Sequence, residues 1–134
     1  INTDLHGIAN GIVSNSLGIE VPDTLLLPLT TLQYISTRRM GDGSDATILQ
    51  FFLKGSPYIK NVIAITKLEA AGVGPTKRMV AYKKDPDKLE AIIPVMFEQL
   101  PPQFDGYEVV THCHARIGGT VVYNPKSISY GDGI

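Results

Sequence analysis

The chain has 134 residues and a mass of 14.5 kDa, a length at which one domain, or two small lobes, is expected. Charged residues make up 19% and hydrophobic residues 43%, and 12 Lys and Arg stand against 13 Asp and Glu. This balance excludes disorder driven by charge repulsion and excludes a strongly basic nucleic-acid-binding protein. Surface scaling gives a folded chain of this mass an exposed area of about 7,000 Å², so a sizeable core is expected.

The first part of the chain, residues 1–22, is predicted to be an irregular lead-in with room for one helical turn. Glycines at positions 7, 11 and 18 interrupt any regular helical or strand pattern there. The chain opens on Ile1 rather than Met, and we expect it to be a piece of a longer protein.

Residues 23–85 are predicted to form a small α/β lobe. The predicted elements are a strand over 24–27, a helix from Pro28 to about residue 38, a turn over 40–45 around Asp42, a helix from an N-cap at Ser44 to residue 54, and strands over 61–66 and 78–84. The last two strands are apolar on both faces, so the two helices are expected to cover them. The second helix carries apolar residues on most of its surface and is expected to be covered on most sides.

Residues 86–134 are predicted to form an antiparallel β lobe, which makes the whole chain α+β. Apolar and other residues alternate over 88–97, so Leu89, Ile93, Val95 and Phe97 are predicted to share a core-facing side of one strand. Phe97→Ala is accordingly expected to cost about 3–5 kcal/mol. Pro94 places that strand at a sheet edge or a bulge. Further strands are predicted over 107–117 and 120–123.

The sequence His112-Cys113-His114 carries the most prominent candidate chemistry. On a strand His112 and His114 share one face, and Cys113 lies on the other, so the three residues cannot bind one metal together. We expect the two histidines to be structural and Cys113 to be a small buried residue. A small metal-dependent enzyme built on the two histidines stays open as an alternative, whereas no catalytic or cofactor-binding residue is predicted.

Six stretches of the chain resemble the C-terminal part of the major capsid proteins of tailed bacteriophages and prophages. They read PDTLLLP at 22–28, GSDATILQFFL at 43–53, SPYIKN at 56–61, RMVAYKKDP at 78–86, FEQLPPQ at 97–103, and CHARIGG at 113–119 with Tyr123, Pro125 and SYGDGI at 129–134. The resemblance implies the capsid fold shared with encapsulins. Residues 23–85 would then belong to its axial domain and 86–134 to its peripheral domain, while the N-arm, long helix and extended loop of that fold would lie upstream of Ile1.

The same resemblance implies a structural virion protein, not an enzyme. It would assemble with itself as hexamers and pentamers into an icosahedral shell around double-stranded DNA, in the cytoplasm of a bacterial host. Scaffold protein and maturation protease are the further partners that such a role implies, with contact to packaged DNA that does not depend on sequence. A connector or head-completion protein of the virion is the other alternative.

Overall fold

The computed structural model describes residues 1–41 and 43–134, so Asp42 of the predicted turn lies outside the described residues. The helices are α1 (Asn2–Asn15), α2 (Leu29–Thr37) and α3 (Ile48–Gly55), with 3-10 helices at Thr66–Ala70 and Pro125–Ser127. The strands are β1 (Thr24–Leu27), β2 (Asn61–Ala64), β3 (Arg78–Tyr82), β4 (Leu89–Ile92), β5 (Val95–Gln99), β6 (Gln103–Asp105), β7 (Glu108–Val110), β8 (Cys113–Arg116), β9 (Gly119–Val122) and β10 (Ile128–Asp132). Among the described residues, no helix is long and apolar enough to cross a bilayer.

The chain divides into two compact units, which we call the core unit and the ribbon. The core unit comprises residues 1–84 and 124–134, and the ribbon comprises residues 85–123. The core unit is built on a four-stranded sheet in the order β10-β3-β1-β2, in which β1 and β2 are parallel and the other pairs antiparallel. Its core consists of residues from α1, α2, α3 and the central strands, including Leu25, Ile35 and Phe52, all fully buried.

Helix α1 corrects the prediction of an irregular lead-in over residues 1–22. Leu5, Ile8, Ala9 and Ile12 follow the spacing of one helical face, and all four are buried in the core. Glycine inside a helix costs about 1 kcal/mol relative to alanine, and burial of a Leu or Ile side chain contributes more than that. The apolar face therefore outweighs the two glycines inside the helix.

The C-terminal residues 124–134 belong to the core unit rather than to the predicted β lobe of 86–134. Strand β10 pairs antiparallel with β3, with Tyr130 opposite Val80. Without β10, strand β3 would leave its outer backbone groups unpaired at the edge of the sheet. The chain therefore returns from the ribbon to complete the sheet.

Helix α3 departs from the prediction in two respects. Its N-cap is Thr47 rather than Ser44, because Thr47 and Gln50 form a capping box in which each side chain accepts from the other residue's backbone N–H. The helix is also covered on one side only, since Phe52 is buried whereas Phe51 and Leu53 are exposed.

The ribbon is one long β-hairpin, in which a first arm of β4, β5 and β6 pairs antiparallel with a second arm of β7, β8 and β9. Three successive ladders pair β4 with β9, β5 with β8, and β6 with β7. The predicted strand over 88–97 is interrupted at Pro94, which has no N–H to donate, and the predicted strand over 107–117 is interrupted at residues 111 and 112. At the far end, Gly106 adopts a φ of 63° in the two-residue turn between Asp105 and Glu108, a conformation that favours glycine.

Candidate assembly surface

The ribbon contains no buried residue among its positions 85–123, all of which the structure describes. A two-stranded hairpin is marginally stable in water by itself, and a third strand or a covering helix is ordinarily needed. The chain exposes 8975 Å², more than the roughly 7,000 Å² that scaling gives for its mass. The ribbon therefore needs a further layer of protein, from residues other than 85–123, to pack against it.

An open apolar groove of about 430 Å³ lies on the ribbon. It is lined by Ile93, Val95, Met96, Phe97, Ala115 and Ile117. The two largest side chains are well exposed, Met96 at 75% and Phe97 at 71%. Because exposed apolar surface of this kind marks sites of protein contact, we take the groove as part of the candidate assembly surface.

The predicted core set of Leu89, Ile93, Val95 and Phe97 is wrong for this chain, because Ile93 and Phe97 are exposed and the other two are only partly buried. Ile93, Val95 and Phe97 do line one groove, but no second layer of the ribbon covers it. The β5–β8 ladder also shifts register between Val95 and Glu98. The four residues do lie on the ribbon, but they do not enclose a core.

The far end of the ribbon, which we call the tip, is residues 104–109. Phe104 is 83% exposed, and Tyr107 and Val109 are also exposed. Asp105 and Glu108 are directly paired across the two strands, and so are Phe104 and Val109. This hairpin is absent from the elements predicted from the sequence, although a Gly in a short turn between apolar residues is a signal for one.

The two histidines lie on one arm of the ribbon, and Glu98 on the other arm lies beside His114. His114 Nε2 is 3.6 Å from Glu98 Oε2, and both side chains are more than half exposed. No group of three or more His, Cys, Asp or Glu side chains positioned to bind a metal occurs within 1–41 and 43–134. Cys113 is exposed rather than buried, which corrects the prediction for that residue.

A charged cluster joins the C-terminal strand to the rest of the core unit. Arg78 donates from Nε and Nη2 to the two carboxylate oxygens of Asp132, at 2.6 and 2.8 Å, and the backbone N–H of Val73 donates to the same carboxylate. The Arg78 guanidinium also lies 4.9 Å from the centre of the Tyr130 ring. The hydrogen bonds from Arg78 lower the pKa of Asp132 to about 2.

A second carboxylate of the core unit caps a helix. The Glu69 side chain accepts hydrogen bonds from both the backbone N–H and the hydroxyl of Thr30, in the first turn of α2, each at 2.8 Å. These two bonds lower the pKa of Glu69 because they stabilise its charged form. The carboxylate supplies an N-terminal partner that α2 lacks in its own sequence, since Pro28 makes no side-chain cap.

The comparisons with known proteins agree with this architecture. A family model described as major capsid protein matches residues 1–134, the whole chain. The chain belongs to the major capsid protein family. A chain from the capsid of Myoviridae phage XM1 has the same fold, with a TM-score of 0.89 and 16% sequence identity. The match covers 99% of this chain and 45% of that one, so this chain spans less than half the length of the capsid chain it matches. No curated protein matches it.

Membership of this family confirms the resemblance drawn from the six sequence stretches, and the structural match confirms the α+β fold that it implied. The family match extends to residues 1–21 as well, which precede the first of the six stretches.

Proposed function

We propose that this capsid-family chain is part of a structural subunit that assembles with copies of itself, as hexamers and pentamers, into an icosahedral shell around double-stranded DNA. The observation that carries the proposal is the ribbon, which presents an apolar groove and an exposed tip and has no core of its own. A subunit that is completed by its neighbours needs such surfaces, whereas a free monomer rarely exposes them.

The two units take different places in such a subunit. The core unit corresponds to the axial lobe expected for residues 23–85, enlarged by α1 and β10, and the ribbon corresponds to the peripheral lobe, shortened to 85–123. Contacts that relate one surface to a different surface of the next copy close into rings, as hexamers and pentamers require.

The remaining partners follow from the same role. A scaffold protein and a maturation protease would guide assembly in the cytoplasm of the bacterial host, and packaged DNA would touch the inner surface. The net charge of −1 supports weak DNA contact without sequence preference, because few counterions are released when such a protein binds DNA.

The decisive experiment is electron microscopy of the full-length protein after expression, with and without a co-expressed scaffold partner. Closed shells of uniform diameter are the expected result. Single rings of fixed number would instead indicate a connector or head-completion protein. A protein that stays monomeric under all salt conditions contradicts the proposal.

A further inference from the structure

The charges of the chain are divided unequally between the two units. The core unit has ten Lys and Arg against seven Asp and Glu, so it is cationic. The ribbon is acidic, with six carboxylates, Asp85, Asp87, Glu90, Glu98, Asp105 and Glu108, against the two cations Lys88 and Arg116. A chain that is nearly neutral overall therefore carries two surfaces of opposite sign.

Two of the cations of the core unit lie next to each other directly after α2. The Arg78–Asp132 pair elsewhere in the unit withdraws one charge of each sign and leaves its net charge unchanged. Arg38 and Arg39 are both exposed, and with Met40 and Gly41 they line a depression of about 340 Å³ after α2. This arginine depression is a cationic surface with apolar groups beside the charge.

The tip has the complementary character. Its like-charged residues Asp105 and Glu108 lie directly opposite each other, an arrangement that destabilises a strand pair. The exposed rings of Phe104 and Tyr107 lie beside them in the sequence. A guanidinium group would remove the repulsion between the carboxylates and would also stack favourably on an aromatic ring.

We propose that the tip of each ribbon docks on the arginine depression, Arg38 to Gly41, of a second copy of this chain. The contact joins two different surfaces, so it can be repeated from copy to copy, and it forms a ring where the rotation between copies closes. This inference rests on the proposed function and names two surfaces through which copies of the chain would assemble. Opposite charge selects the partner surface, and the exposed rings of the tip, which the contact would bury, supply the apolar part of it.

The test is assembly of the full-length protein, followed by light scattering and electron microscopy. One variant carries Asp105→Lys with Glu108→Lys, and the other carries Arg38→Glu with Arg39→Glu. Each variant alone is expected to need about tenfold more protein for half-maximal assembly, because like charges then meet at the contact. An equimolar mixture of the two should form hexamers like the wild type, because copies that alternate around a six-membered ring each find the opposite charge on their neighbour, whereas a five-membered ring keeps at least one unfavourable contact.

A milder variant separates assembly from folding. Asp105→Asn with Glu108→Gln removes the repulsion within the tip, so it should melt no lower than the wild type and still assemble less readily. Tyr107→Ala should weaken assembly in the same way. Lys60→Glu and Asp87→Lys change exposed charges elsewhere in the two units and serve as controls that should assemble within about twofold of the wild type.

The outcomes discriminate between the contact and the function. If both charge-reversed variants form shells at the wild-type concentration, the tip does not dock on the arginine depression, although the capsid function stands. If the chain with all four substitutions assembles at the wild-type concentration but the mixture of the two variants forms no hexamers, the contact is within one copy and the proposal is wrong. A wild-type protein that forms no assembly contradicts the proposed function and this inference with it.

Discussion

Asp132 links the C-terminal strand by its side chain to two other parts of the core unit. Its carboxylate accepts hydrogen bonds from Arg78 and from the Val73 backbone, and these contacts lower its pKa from 3.8 to about 2. A carboxyl group with a lower pKa in the folded state stabilises the fold above its ordinary pKa, and this contribution is lost as the pH falls toward the folded value. The relevant range is therefore about pH 4 down to pH 2.

We predict that Asp132→Asn makes the melting temperature depend less on pH in the acid range. The melting temperature of the wild type should fall more steeply between about pH 4 and pH 2 than that of the variant, because only the wild type protonates this carboxylate there. Arg78→Ala should reduce this dependence as well, since it removes the main cause of the lowered pKa. Parallel melting curves for all three proteins would contradict the assignment.

His112 and His114 are predicted to be structural residues. They supply two nitrogen ligands at most, and the neighbour of His114 is the single carboxylate of Glu98. Elemental analysis of the purified protein should find less than a stoichiometric amount of zinc, iron or other transition metal. One full equivalent of metal that disappears when both histidines are changed to alanine would overturn this prediction and favour the metal-enzyme alternative.

At the scale of elements, the core unit and the ribbon obtain their stability in different ways. Helix α1 and the sheet bury their apolar side chains against each other within the chain. The ribbon has paired backbones but no opposing layer, so its apolar side chains gain little from burial here. Equivalent substitutions in the two units should therefore have unequal effects.

Two phenylalanine substitutions test this difference. Phe52→Ala in the 134-residue chain should lower the free energy of unfolding by about 3–5 kcal/mol, because the ring is fully buried and packs 4.9 Å from that of His6. Phe97→Ala should change it by less than about 0.5 kcal/mol, because that ring is 71% exposed. Urea denaturation of both variants measures the effect, and equal losses would mean that Phe97 lies in a core after all.

At the scale of the whole molecule, the amount of surface available for contact decides the state of assembly. The chain spans 45% of the capsid chain it matches, so more than half of that protein has no counterpart here. A standard interface buries about 800 Å² on each partner and has to offset the loss of translational and rotational freedom on association. Fewer surfaces leave fewer contacts to offset that loss.

We therefore predict that the 134-residue chain by itself is a monomer or a small ring, whereas the full-length protein forms closed shells. Size-exclusion chromatography with light scattering on the two proteins distinguishes these states. Shells formed by the 134-residue chain alone would show that its own surfaces are sufficient, and would contradict the reasoning from interface area.

Much of the core unit could be predicted because its signals are local. The short apolar run that became β1, the helix that follows Pro28, and the apolar strands β2 and β3 each depend on residue spacing and on a proline or glycine nearby. Helix α1 was missed because propensity penalises its glycines, and only the packing of its apolar face on the sheet outweighs that penalty. The candidate assembly surface was harder to predict, because the exposure of an apolar side chain on a strand depends on whether a second layer of structure packs over that strand.

The sequence by itself determined the family, the α+β character and the change of structure near Asp85. The family follows from the order of the residues, and the other two follow from the spacing of the apolar side chains. Only the tertiary structure decided that residues 124–134 return to pair with β3, and that Phe97, Phe104 and Tyr107 face outward. An alternating strand has the same pattern whether its apolar face meets a second layer or remains uncovered. The presence of that layer depends on residues distant in the chain or in another copy, and no local pattern reports it.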